Sequence, residues 1–176
     1  MLELVRRFVK QPLPAYRNMQ IVFNLLALQF LIPSMTYFFA PEQALGPLRQ
    51  LAQLLGSTPY SVAEQSFVWR TLAAGNVFTL ATLCFMLSWN IRRFAVLIPI
   101  FIVLKGFSSL GFLYVFAVET GQPLFLAIFF WDALAVFLVW FFGLRALQAV
   151  RREPTAELVP RLRFVEEPHG GAAGDR

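Results

Sequence analysis

FAVLIPIFIVLKGFSSLGFLYVFAVETGQPLFLAIFFWDALAVFLVWFFG, residues 94–143, decides the fold. Its only charged side chains are Lys105, Glu119 and Asp132. A helix that crosses a bilayer needs about 20 apolar residues, each rising 1.5 Å. The stretch holds two such segments, 94–117 and 124–143, separated by ETGQP, where Gly121 and Pro123 favour a turn. It therefore reads as two antiparallel membrane spans.

Working outward, the pattern repeats. The tight turn NIRR (Asn90–Arg93) precedes this pair, and a third apolar segment, 67–89, lies before it. A fourth, 19–40, follows the basic N-terminus. An apolar run of that length exceeds the 7–15 residues usual in a signal peptide, so it is read as an anchored span. The fold class expected is all-α: a polytopic four-transmembrane-helix bundle. Residues 1–18 are read as a cytoplasmic segment, 19–145 as the membrane domain, and 146–176 as a flexible cytoplasmic tail rich in Glu, Arg, Pro and Gly.

Two amphipathic helices are expected outside the spans. In residues 2–10, Leu2, Val5, Phe8 and Val9 share a face with Glu3, Arg6, Arg7 and Lys10 elsewhere, which suits an interfacial helix ended by Pro12 and Pro14. In the long loop 41–66, Leu45, Leu48, Leu51, Leu54 and Leu55 recur at helical spacing. That segment is expected to cap the bundle or lie among headgroups on the outer side. Trp69, Trp89, Tyr37 and Tyr114 fall near span ends, where aromatic side chains are enriched.

Composition agrees. Charged residues are 14% of the chain, against about 25% in soluble domains. The net charge of +5 comes from Lys and Arg flanking the spans, a topology signal rather than a nucleic-acid surface. Four basic residues precede the first span, two sit in the 90–93 turn and six follow Gly143, whereas the opposite loops hold only Arg49, beside Glu42, Glu64 and Glu119. Both termini are thus expected in the cytoplasm, with a bacterial inner membrane as the location.

Several chemistries lack their residues. The one histidine, His169, lies in the tail, so no span offers a haem or His-based metal site. No Walker loop, dinucleotide fingerprint or Ser-His-Asp set is present. The lone Cys84 cannot form an intramolecular disulfide and reads as a small core residue. The twenty phenylalanines read as packing and lipid-facing residues. No cofactor is expected.

What remains is polar groups at membrane depth. Lys105 lies about 16 Å along its span and Asp132 about 13 Å along the next, so both approach the midplane. Gln29 and Asn76 fall at similar depth. Such residues are costly in hydrocarbon and usually face the protein interior. Lys105 shares a face with Ser108, Ser109 and Phe112, and Arg70 begins a small-residue stripe through Ala73, Ala74, Val77, Ala81 and Cys84. Side-chain tilt points Lys105 inward and Asp132 outward, so Arg70 is a rival partner for the carboxylate. The expected polar layer is Gln29, Arg70, Asn76, Lys105, Ser108, Ser109 and Asp132, with interhelical hydrogen bonding the plain role for Gln29 and Asn76 and an interfacial anchor the plain role for Arg70.

The chain resembles the small DoxX-like four-helix membrane proteins of bacteria over roughly residues 19–145. The likeness is carried by RTLAAGN (Arg70–Asn76), KGFSS (Lys105–Ser109) and WDA (Trp131–Ala133), with four short spans and a longer first outer loop. Some members are associated with quinone-linked sulfur or thiol oxidation. The resemblance therefore implies, at most, a quinone-linked oxidoreductase subunit. From the residues themselves, the expected function is a non-catalytic subunit of a larger membrane complex or a bundle that holds a hydrophobic ligand. A proton- or ion-linked small transporter is the alternative. The expected partners are the lipid bilayer, a membrane protein or a second copy, and a hydrophobic ligand.

Overall fold

The computed structural model describes residues 11–57, 67–156 and 158. The expected interfacial helix at 2–10, loop residues 58–66 and nearly all of the tail beyond 156 lie outside them. Every regular element described is helical: α1 (Pro14–Phe39), α2 (Pro41–Leu54), α3 (Phe67–Trp89), α4 (Ile91–Phe94), α5 (Leu97–Tyr114, continued by a π-helical turn, Val115–Thr120) and α6 (Pro123–Arg152). Four of them, α1, α3, α5 with its π turn, and α6, are long and apolar enough to cross a membrane.

The four long helices run alternately up and down, so that α4, the N-terminal end of α1 and the C-terminal end of α6 share one face of the bundle, here the terminal face. The opposite, loop face carries α2 and the α5–α6 turn. α1 is the central element: it packs most extensively on α3, then on α6, while α5 packs on α6 and meets α3 only sparingly. Small residues explain the close α1–α3 contact. Ala74, Ala81 and Cys84 are buried in a line on α3, and short side chains let two helices approach. Gly143 plays the same part on α6, where a Cβ would meet Ile98 Cδ1 at 3.1 Å and Phe23 Cζ at 3.5 Å.

Element ends follow from local chemistry. Pro14, Pro41 and Pro123 each open a helix, where the missing N–H costs nothing. Asn90 caps α4, its side-chain oxygen accepting from Arg93 N–H at 3.2 Å. Gly121, at φ 61°, ends the π turn, its N–H donating to Phe116 C=O at 2.9 Å. The first turn of α6 takes a cap from far away in the chain: Leu124 N–H donates to Ser57 Oγ at 3.2 Å. That bond ties the segment just after α2 to the last span.

Two boundaries differ by five residues or more from those read in the sequence. α1 begins at Pro14 rather than near Met19, with Leu13 and Tyr16 already buried. α6 runs on to Arg152 rather than stopping near Gly143, because Ala146 and Val150 continue its buried stripe into a cluster that includes Leu13 and Ile91. Hydropathy falls at Arg145, but helical packing does not. Arg145 faces outward and lies over the Phe141 ring, 4.2 Å from its centroid, while Arg92 donates to the Glu153 carbonyl at 3.0 Å, beyond the helix end.

Candidate functional site

Asp132 is buried about a third of the way along α6, with its side chain toward α5. Lys105 Nζ lies 2.6 Å from Asp132 Oδ1, and Ser108 Oγ donates to Oδ2 at 3.3 Å. The lysine also sits over the face of Phe30, 5.2 Å from the ring centroid, so α1 closes the third side. One turn along, Ser109 Oγ donates to the Phe129 carbonyl at 3.1 Å. Both charges are almost wholly removed from the surface, with side chains 10% and 5% exposed. A lone charge at that depth would be costly; a contact pair with a hydroxyl on the second oxygen cancels most of that cost.

The direct Lys105–Asp132 contact goes against the tilt argument. The Ser108–Asp132 and Ser109–Phe129 bonds set the level of the two helices, and Lys105 is then displaced from Asp132 by about three residues, some 4.5 Å of rise. A four-carbon stem spans that offset, so tilt, a preference of the Cα–Cβ bond, yields to a flexible side chain.

Of the expected polar layer, the structure brings together Lys105, Ser108, Ser109 and Asp132. Gln29 is half-buried on α1. Asn76 stands apart, exposed on the outward side of α3. The expected interhelical role of Asn76 is not met, because its side chain faces away from the other helices. Arg70 is half-buried in the first turn of α3, toward the loop face.

Beyond the ion pair, toward the loop face, lies an open cleft of about 610 Å³. It is walled by Pro33, Ser34 and Tyr37 of α1, Ala73, Ala74 and Val77 of α3, and Phe112 of α5, with Ala44, Leu45 and Leu48 of α2 laid over it. Its origin is the sparse meeting of α3 and α5: the two helices are joined at the terminal face and leave a gap toward the other. Ser34, a polar residue in the wall, is occupied, donating to the Ala74 carbonyl at 2.7 Å. The surface presented is apolar, and the volume lies within the range of about 300–1,000 Å³ typical of small-molecule sites.

A second polar cluster, on the terminal side, was not singled out in the sequence. Tyr16 Oη donates to the carbonyls of Ser88 (3.2 Å) and Trp89 (3.0 Å), and Gln20 Nε2 donates to Ser88 C=O at 3.0 Å. Ser88 Oγ in turn donates to Asn24 Oδ1 at 3.3 Å. The last carbonyls of a helix have no helical donor; here α1 supplies donors to the end of α3. The signal was legible, since Tyr16, Gln20 and Asn24 recur every four residues on one face. Among the described residues, no three His, Cys, Asp or Glu side chains group as a metal site would need. Searches of protein-family models, curated proteins and solved structures each returned no match to this chain.

Proposed function

We propose that the chain is a non-catalytic, four-span inner-membrane protein of bacterial type, with both termini in the cytoplasm, whose bundle holds a hydrophobic ligand. The observation that carries this reading is the apolar cleft of about 610 Å³ between α1, α3 and α5, overlaid by α2. A chain-like molecule such as an acyl or isoprenoid tail suits it. Burying apolar surface there gives affinity without any polar recognition, at about 25 cal/mol for each Å² removed from water. The α2 leucines Leu48, Leu51, Leu54 and Leu55 are all more than a third exposed, which fits a helix resting in the headgroup layer above the ligand. The likeness to DoxX-like proteins enters this proposal as one of architecture. A carrier reading has less support, because Lys105 and Asp132 neutralise each other at 2.6 Å.

The test uses all-trans-retinol, a neutral polyene whose own emission reports entry into an apolar site. Purified chain in detergent should bind it saturably. Ala73→Trp fills the cleft and should weaken binding by about tenfold. Leu72→Trp, on the exposed side of the same helix, should leave it unchanged. Equal binding by the Ala73→Trp and wild-type chains would overturn the proposal.

A further inference from the structure

We infer that the chain pairs with a second copy of itself in the bilayer through the outward face of α3, where the Asn76 amides of the two copies hydrogen-bond to each other. The inference stands independently of the cleft. Leu72, Gly75, Asn76, Thr79 and Thr82 fall within an arc of about 120° around α3, and all of them are exposed. The two hydroxyls on this face need nothing from outside. Thr79 Oγ1 donates to the Gly75 carbonyl at 2.9 Å, and Thr82 Oγ1 to the Phe78 carbonyl at 3.0 Å. Asn76 differs. Its carboxamide carries an acceptor oxygen and two N–H donors, and it makes no side-chain hydrogen bond among the described residues.

Depth gives that amide its consequence. Asn76 is nine residues from the start of α3 and thirteen from its end, about 13 Å and 20 Å along the axis. Hydrocarbon at that level offers neither donor nor acceptor, so only a polar group on another chain satisfies the side chain. A second copy supplies one automatically. Copies of one multi-span chain insert in the same sense, so a two-fold axis along the membrane normal sets their α3 helices parallel and both Asn76 side chains at one depth. A carboxamide is its own complement, each N–H donating to the other's oxygen. A different membrane protein would need a polar residue of its own at that level. The face also permits close approach. A Cβ at Gly75 would meet nothing within 4 Å in its own chain, so the bundle itself does not require glycine there, whereas a second helix packs closest over Gly and Thr.

Förster transfer between donor- and acceptor-labelled chains measures the association. The labels sit on Gln43→Cys in a Cys84→Ser background, and the chains are reconstituted in dioleoyl phosphatidylcholine vesicles over a range of protein-to-lipid ratios. Transfer should rise to the plateau of a dimer. Asn76→Val should raise the ratio at half-association about tenfold, the effect of losing a reciprocal pair of interhelical hydrogen bonds. Asn76→Gln keeps the amide and should retain most of the association. Gly75→Ile should weaken it with Asn76 intact, which serves if the valine variant does not fold. Oxidation in native membranes locates the face: Thr79→Cys in the Cys84→Ser background should give a covalent dimer, and Leu28→Cys, on the exposed side of α1, should not. No transfer in the chain with Asn76 intact, an unchanged midpoint in Asn76→Val, or a dimer linked through Leu28→Cys overturns the inference. A Thr79→Cys adduct with a different polypeptide overturns it in favour of a foreign partner on the same face.

Discussion

Lys105 and Asp132 form a contact ion pair across α5 and α6, 2.6 Å apart, with Ser108 on the second carboxylate oxygen and Phe30 beneath the ammonium. Removing one partner leaves the other charge buried, which typically costs about 3–5 kcal/mol, whereas removing both costs much less. Asp132→Asn is therefore expected to lower the melting temperature in detergent clearly, and Lys105→Met added to it to recover much of the loss. A double-mutant cycle measures the coupling. Additive effects would mean that the pair contributes nothing as a pair.

The terminal-side cluster makes a separate prediction. Tyr16 is fully buried, and its hydroxyl serves two carbonyls at the end of α3. Tyr16→Phe keeps the ring and deletes both bonds; Ser88 C=O still accepts from Gln20, but the partly buried Trp89 carbonyl loses its tyrosine donor, a cost of about 1 kcal/mol. Unfolding in mixed detergent micelles should show that loss. Tyr114→Phe, at an exposed site, should show none.

Glycine positions should separate by packing. A Cβ at Gly143 meets Ile98 and Phe23, whereas at Gly106 and Gly111 nothing lies within 4 Å. Gly143→Leu is expected to destabilise by about 1–3 kcal/mol through overpacking, and Gly106→Ala and Gly111→Ala to be neutral or mildly stabilising. Thermal melts of the three variants are sufficient to check this.

Sidedness can be read with an impermeant maleimide on intact cells, in a Cys84→Ser background. Gln43→Cys and Glu119→Cys on the loop face should label, and Arg92→Cys and Glu153→Cys on the terminal face should label only after lysis. The twelve-to-one excess of Lys and Arg on the terminal side is the reason. The reverse pattern would invert the topology.

The number, order and approximate extent of the four long helices are properties of the sequence by itself. Hydrophobic length is local information: a run of some 20 apolar residues needs a helix wherever it sits, because its backbone must bond within itself. Residues 67–89 matched α3 to the residue, and ETGQP marked the turn before α6. The position of each polar group along its helix was equally legible, since rise per residue is constant. Its azimuth was not. Rotation of a helix about its own axis is set by its neighbours, and with apolar residues on every side the pattern cannot say which side meets protein and which meets lipid. Only the tertiary structure turned Asn76 outward, closed Lys105 on Asp132 rather than leaving Arg70 as its partner, and carried α6 past Arg145 on the buried stripe of Ala146 and Val150. The cleft belongs wholly to that level, for it exists where α3 and α5 fail to meet, and a gap between two helices is written in neither of them.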